Sequence, residues 1–320
     1  MLAHNDNNRM AFTASVKDDQ VLLTKLAKSG LSRRYHNNAK AVQRVNSELK
    51  VILELGFCAY FLITWDIIKY ARSAGYFHVG RGSGANSIVA YCMGITDVDP
   101  LEHDLYFERF INPHRTSPPD FDIDFSWDER DDVTDYIFKR YGREHTALLA
   151  TYNTFKGKSI IRELGKVVGL PAKEIDLIVD EPFASDKHHP FAAHIFKYGK
   201  MMEGFPNYLS IHAGGILISE KPLYEHTALK LMPKGFHVTH FDMYGAEDLH
   251  LHKYDILSQR GLGHIKEAID IIGRNQNRIV DVHDIERIKL DEGVRDKLRS
   301  GRCIGCFYIE SPAMRGLISK

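Results

Sequence analysis

Three carboxylates stand at every second position of one short run, Pro118-Pro119-Asp120-Phe121-Asp122-Ile123-Asp124-Phe125. Alternation with period two marks a β-strand, in which residues i and i+2 point to the same face. Asp120, Asp122 and Asp124 therefore share one face, and Phe121, Ile123 and Phe125 share the other. The apolar face can anchor the strand on a core. The acidic face cannot be buried bare, because unpaired charge in the interior is too costly. Carboxylates at this spacing repel one another unless a cation sits among them. Hard divalent ions with oxygen ligands, Mg²⁺ above all, suit such a set. An edge strand made acidic to discourage pairing with other chains would show the same alternation. A second acidic stretch, Leu251-His252-Lys253-Tyr254-Asp255-Ile256-Leu257, puts Lys253 and Asp255 on one strand face and Tyr254 and Ile256 on the other. On its own that pair is an ordinary surface ion pair.

Upstream lies Val79-Gly80-Arg81-Gly82-Ser83-Gly84-Ala85-Asn86-Ser87, followed by apolar Ile88, Val89 and Ala90. This is a Gly/Ser-rich turn between a short strand and a helix. Glycines let backbone N–H groups approach an anion closely, and the next helix presents its positive N-terminus to it. Ser83 and Ser87 add hydroxyls, and Arg81 adds a fixed positive charge. A plain tight turn would look similar, and the pattern is neither the P-loop nor the dinucleotide fingerprint. What strengthens the anion reading is the acidic strand about 35 residues later. A phosphate cradle beside a divalent-metal site is what nucleotide chemistry needs. Asp97 and Asp99, just before Pro100, read instead as a polar turn and helix cap.

The elements that must position these residues are legible in outline. Residues 1 to about 20 look polar and loosely structured. Leu22, Leu23, Leu26 and Ala27 recur at helix spacing, with Gly30 as a C-terminal stop. Val42–Leu55 and Phe61–Ala74 give two further helices whose apolar stripes are core. Arg130–Tyr141 reads as a helix ended by Gly142, and Ala147–Tyr152 as a buried strand. Thr154–Ser159 leads a helix with Ile160, Ile161, Leu164, Val167 and Val168 inward, while Lys158, Arg162 and Lys166 step by four along its outer face. Residues 170–206 look like a small helical unit, and His188-His189 like an exposed loop rather than a ligand pair. His212-Ala213-Gly214-Gly215-Ile216-Leu217-Ile218 reads as a glycine-rich turn feeding a buried strand, with His212 either positioning a neighbour or simply packed. Val238–Phe241 is a further strand and Leu262–Ile272 a further helix.

The chain has 320 residues, which favours two domains or one domain with insertions. Hydrophobic content of 44% and charged content of 26% place it among globular proteins. Lys+Arg and Asp+Glu are both 42, so net charge points to no polyanionic partner, and any nucleic-acid surface must be a local patch. Of Cys58, Cys92, Cys303 and Cys306, only the last two have C-x-x-C spacing, and no second pair completes a zinc site. Reduced thiols in a cytoplasmic protein are the expectation. The opening residues, with Asn5, Asp6, Asn7, Asn8 and Arg9, form no signal peptide. The apolar run from Val51 to Ile63 contains Glu54 and is too short to span a bilayer, so no membrane partner is expected.

From about Gly56 to Gly169 the chain resembles the bacterial replicative DNA polymerases of the C family, the alpha subunit of DNA polymerase III. Three stretches carry the resemblance in the family's order: Gly80-Arg81-Gly82-Ser83 with Ser87-Ile88-Val89-Ala90-Tyr91; Phe107-Glu108-Arg109-Phe110 with Asn112-Pro113; and Pro119–Phe125. The resemblance implies an α/β fold: a polymerase-beta-like nucleotidyltransferase palm with a mixed sheet, an inserted helical thumb and truncated fingers. Residues 1–155 and 207–260 would form the palm, 156–206 the thumb and 261–320 the start of the fingers. It implies DNA-templated nucleotidyl transfer, with Asp120, Asp122 and Asp255 as catalytic ligands of two Mg²⁺ ions, Mn²⁺ being able to substitute. Asp124 would orient its neighbours, although strand parity alone does not separate it from the ligands. Arg81, Gly82, Ser83, Ser87 and Lys253 would hold the nucleotide, and Lys158, Arg162 and Lys166 the DNA backbone. Implied partners are primer–template DNA, deoxynucleoside triphosphates, the missing polymerase regions and replisome subunits such as the sliding clamp. Ser258-Gln259-Arg260 departs from the family's small apolar continuation, and Tyr308 stands where the family commonly has Gln. A non-catalytic primer–template-binding piece and a two-metal nuclease are the alternative functions. With the fingers ending at Lys320, the chain alone is expected to extend primers poorly, and Phe307, Ile309, Leu317 and Ile318 to be left exposed.

Overall fold

The computed structural model describes residues 7–36, 38–112, 119–180 and 190–320. Asn5, Asp6, Pro113, Pro118 and His188-His189 lie outside the described residues. Helices α1 (Val16–Tyr35), α2 (Ala39–Glu54) and α3 (Cys58–Ser73) come first, then β1 (His78–Arg81), a 3-10 turn over Gly82–Asn86 and α4 (Ile88–Met93). β2 (Asp122–Ser126), α5 (Arg130–Tyr141) and β3 (Thr146–Thr154) precede three helices, α6 (Lys158–Val167), α7 (Ala172–Asp180) and α8 (Ala192–Met202). β4 (Pro206–Ile218), β5 (Leu229–Leu231), β6 (His237–Thr239), α9 (Met243–Asp248) and β7 (Lys253–Gln259) follow. The chain continues through α10 (Arg260–Gln276), α11 (Ile285–Leu290), α12 (Glu292–Arg299) and α13 (Pro312–Ile318).

The strands form one mixed sheet in the order β1-β2-β7-β4-β3-β6-β5. β2 and β7 run parallel and adjacent, with Asp122 opposite Asp255. β1 lies antiparallel on the other side of β2, with Arg81 opposite Asp122. β4 flanks β7, with Gly215 opposite Asp255. One row across four strands thus reads Arg81, Asp122, Asp255, Gly215. The alternation in β2 does what its pattern predicts on the apolar side. Phe121, Ile123 and Phe125 are buried in the main core together with residues of α1–α5.

β3 and β4 run on past the sheet as a two-stranded ribbon, closed where Thr154 pairs with Pro206 and Phe155 N–H donates to Phe205 C=O at 2.9 Å. α6–α8 sit between the two strands and bury a small core of their own, Ile178, Ala192 and Ile195. No single helix among the described residues is long and apolar enough to cross a membrane. α2 and α3 would reach that length only together, and they are bent by 113°.

Several boundaries differ from the sequence expectation, each for a physical reason. α1 begins at Val16, capped by Ser15, and the segment before it is tied down. Asp19 is fully buried and accepts hydrogen bonds from the N–H groups of Phe12 and Thr13. Asn8 bridges to Ser219. Gly30 does not stop α1; it lies inside it, because any Cβ there would collide with the Cys92 carbonyl. Gly214 and Gly215 form no turn. They lie within the 13-residue strand β4, next to a register shift between Leu148 and Ala150, and a Cβ at Gly214 would press 2.6 Å from the Leu257 side chain. Asp99 supports a polar turn as expected, its Oδ1 accepting from Leu101 N–H at 2.8 Å, but no helix directly follows for it to cap.

Candidate metal and nucleotide site

Asp122 and Asp255 face each other because β2 and β7 are parallel neighbours in register. Asp120, two residues ahead of Asp122, joins them from the lead-in to β2. Each of the three offers a carboxylate oxygen, and these atoms lie within 4.8 Å of one another. Among the described residues this is the one such group of three or more metal-ligating side chains. All donors are hard oxygens, the set that Mg²⁺ and Mn²⁺ prefer. Asp255 is 4% exposed, and its Oδ1 is buried with no hydrogen-bond partner. Burial, together with Asp120 and Asp255, raises the Asp122 pKa against the opposing pull of Arg81. A divalent cation would satisfy both the orphaned oxygen and the crowded charge.

Asp124 shares the parity of Asp120 and Asp122 but has other partners. It is fully buried, and its Oδ2 accepts from Arg81 Nε at 2.8 Å and from the Tyr308 hydroxyl at 2.8 Å. Arg81 also reaches Asp122 Oδ2 through Nη1 at 3.2 Å, so Asp124 orients Arg81 beside Asp122. Tyr308 holds its position with a left-handed backbone, φ 70°. Burial and the bond to Asp124 push its phenol up to about 12.

The Gly/Ser loop abuts this cluster. Gly82 has φ +71°, and a Cβ on it would lie 2.5 Å from Asp122 Oδ2. Only a bare backbone fits between the loop and the carboxylate. Lys253 Nζ donates to Asp120 Oδ2 at 2.7 Å and also to Asp255 Oδ2. Burial lowers the pKa of that ammonium, but Asp255 and Asp120 outweigh it and the net direction is up. His212 Nδ1 accepts from the N–H groups of Gly214 at 3.3 Å and Gly215 at 2.8 Å, and lies 3.9 Å from Asp255 Oδ1. The histidine shapes the β4 backbone next to Asp255.

Over residues 21–258 the chain matches the family described as bacterial DNA polymerase III alpha NTPase domain. The chain belongs to this family. It is 38% identical over 316 residues to an error-prone DNA polymerase of Symbiobacterium thermophilum, covering 92% of this chain and 28% of that protein. It is 35% identical over 318 residues to the DNA polymerase III subunit alpha of Bacillus subtilis, covering 93% and 28%. The corresponding subunit of Pseudomonas aeruginosa is 36% identical over 301 residues, covering 87% and 26%. The chain therefore spans less than a third of the length of these relatives.

Other expected site residues of this DNA polymerase III alpha family member sit apart from the carboxylates or face away. Ser87 is fully buried. Its hydroxyl donates to Glu48 Oε2 at 2.8 Å and accepts from Ala90 N–H, so it caps α4 and offers nothing to an outside anion. The positive N-terminus of α4 is likewise filled from within, because Glu48 Oε2 also accepts from Val89 N–H at 3.2 Å. Burial raises the Glu48 pKa. Lys158, Arg162 and Lys166 line α6 as exposed side chains, paired with Asp180 at 3.6 Å, Asp176 at 2.6 Å and Glu163 at 2.6 Å. Phe307, Ile309 and Ile318 are half-buried rather than exposed, with Phe307 packed against Gly261, whereas Leu317 is 66% exposed.

Two side chains that hold the cluster's surroundings escaped sequence reasoning. Tyr60 on α3 is buried, and its hydroxyl accepts from Phe121 N–H at 2.9 Å and donates to Lys253 C=O at 3.2 Å. It staples the lead-in of β2 to the start of β7. Glu48 anchors the far end of the Gly/Ser loop through Ser87, while Arg44 Nη2 donates to Asn86 C=O at 2.8 Å. The signal available for both was a polar atom inside an apolar helical stripe, which must find a partner when buried. Nothing in the sequence names that partner.

Proposed function

We propose that this chain carries the nucleotidyl-transfer centre of a DNA-directed DNA polymerase, acting in the cytoplasm in DNA replication. Residues 1–155 and 207–260 then form a polymerase-beta-like palm, 156–206 the thumb and 261–320 the start of the fingers. One observation carries the proposal: carboxylates from two parallel strands converge within 4.8 Å, and a glycine backbone is pressed against one of them. A two-metal nuclease would need the carboxylates but not the Gly82 loop.

Asp120, Asp122 and Asp255 would hold two divalent ions. Bound there, Mg²⁺ or Mn²⁺ supplies a more acidic primer 3′-hydroxyl and neutralises the triphosphate and leaving pyrophosphate. The backbone of Gly82 and Ser83 lies where phosphate oxygens must approach Asp122, and Arg81 and Lys253 add positive charge on either side. Ser87 and Glu48 hold the far end of the loop. Asp124 fixes the Arg81 guanidinium, and His212 fixes the backbone behind Asp255. Tyr60 keeps the two acidic strands in register at the level of the cluster. Lys158, Arg162 and Lys166 would exchange their carboxylate partners for DNA phosphates. Exposed pairs of this kind contribute only about 0–1 kcal/mol, so the exchange costs little. Primer–template DNA and deoxynucleoside triphosphates are the substrates, and the remaining polymerase regions and the sliding clamp the partners.

Isothermal titration with Mg²⁺ and a deoxynucleoside triphosphate tests the assignment. The wild-type chain binds, and Asp122→Asn abolishes metal-dependent nucleotide binding. Unchanged binding by that variant would remove Asp122 from the site.

A further inference from the structure

Lys253 sits inside the carboxylate cluster, not at its margin. Its ammonium hydrogen-bonds Asp120 Oδ2 at 2.7 Å and Asp255 Oδ2, two of the three carboxylates that converge there. Its side chain is only 20% exposed. The third carboxylate, Asp122, is served by Arg81. The backbone of Lys253 is fixed by two contacts: it pairs with Leu217 of β4, and its carbonyl accepts from Tyr60. Only the four-carbon stem can move, and that stem is flexible.

An ammonium and a divalent ion compete for the same oxygens. Three carboxylates can neutralise one divalent ion with one negative charge left over, and two divalent ions exceed them. Lys253 cannot keep both of its bonds once those oxygens turn to metal, and like charges at such range repel. The expelled ammonium stays tethered beside the cluster. On the opposite side of the carboxylates lies the Gly82 backbone, pressed against Asp122. Negative charge arriving between the two, as on a triphosphate, would meet the freed ammonium.

We propose, building on the reading above, that Lys253 is a resident counter-ion of the cluster: metal entry displaces its ammonium, which then receives the phosphates of the incoming nucleotide. Lys253 therefore opposes metal binding and favours nucleotide binding. The two effects have opposite signs, a pattern that simple loss of structure does not produce. The coupling falls in the range usual for linked sites, roughly 5–150-fold.

The test uses the full 320-residue chain. Mn²⁺ affinity is read from the electron paramagnetic resonance signal of the free ion, and affinity for the Mn²⁺ complex of dTTP by calorimetry at saturating free Mn²⁺. Lys253→Met should bind Mn²⁺ alone about tenfold more tightly and the nucleotide complex about tenfold more weakly, and Lys253→Arg should stay near wild type in both. Lys253→Gln replaces Lys253→Met if thermal melting shows the latter unfolded. Equal or weaker Mn²⁺ binding in the neutral variant overturns the counter-ion role. Tighter Mn²⁺ binding with unchanged nucleotide affinity overturns the hand-over. If wild type binds Mn²⁺ and Asp122→Asn does not, failure of either arm falls on this inference alone. If wild type binds no Mn²⁺, the proposed function fails with it.

Discussion

Gly82 meets two demands that no other residue satisfies together. Its φ of +71° is one that L side chains adopt at a cost of about 1–3 kcal/mol, and a Cβ there would sit 2.5 Å from Asp122 Oδ2. Gly82→Ala should therefore destabilise the chain by about 1–3 kcal/mol in denaturant melts and push Asp122 out of line. Metal-dependent nucleotide binding should fall at least tenfold, whereas an alanine that left both untouched would separate the loop from the carboxylates. At this scale the sequence was most informative. The alternation of Asp120, Asp122 and Asp124 marked β2, although the strand itself begins at Asp122, and the Lys253–Asp255 pair marked the second strand. What alternation could not give was the split between Asp122 and Asp124, which share parity. Arg81 and Tyr308 engage the same oxygen of Asp124, and Tyr308 lies 184 residues away. Ser87 was misjudged for a related reason: a hydroxyl at a helix start serves the helix as readily as an outside anion, and buried Glu48 claimed it.

Elements position the site through one helix-borne hydroxyl. Tyr60, on α3, bridges backbone groups that lie 61 and 193 residues further along the chain. Tyr60→Phe keeps the ring packing on Phe121 and Tyr254 but leaves the Phe121 N–H and the Lys253 C=O without that partner. The expected cost is about 1–3 kcal/mol of stability, measured by chemical denaturation, with metal affinity reduced because β2 and β7 lose their tie. A Phe variant as stable and as metal-competent as wild type would show that sheet pairing alone sets the register. The helices α2, α3 and α5 and strand β2 were readable because periodicity reports local environment. Gly30 and Gly214-Gly215 were misread because a glycine required by close packing carries the same letter as one required by a turn.

For the whole molecule, the sheet order is the feature that no local pattern reveals, since β2 and β7 become neighbours across more than a hundred intervening residues. The joining of these elements makes overall stability depend on pH. His78 on β1 is 4% exposed, its Nε2 has no partner, and burial, followed by nearby Arg72, lowers its pKa to about 4. The unfolded chain takes up this proton near pH 6.5, whereas the folded chain resists it until about pH 4. The unfolded state thus binds more protons between these values, and stability falls as pH drops through that window. Between pH 6.5 and 4.5 the loss attributable to His78 is on the order of 2 kcal/mol. Denaturant melts at pH 6.5 and 4.5 should show it, and His78→Phe should flatten the difference; an equal slope in the variant would assign the loss elsewhere.

Asp120, Asp122 and Asp255 are proposed to form one divalent-metal site. Crystals of the chain soaked in Mn²⁺, with diffraction recorded for anomalous scattering, test it most directly. Anomalous density is expected at coordinating distance from all three carboxylates, including the buried Oδ1 of Asp255, with the Lys253 ammonium withdrawn from Asp120 and Asp255. Ordered Mn²⁺ bound elsewhere on the chain, with these carboxylates still held by Lys253 and Arg81, would contradict it.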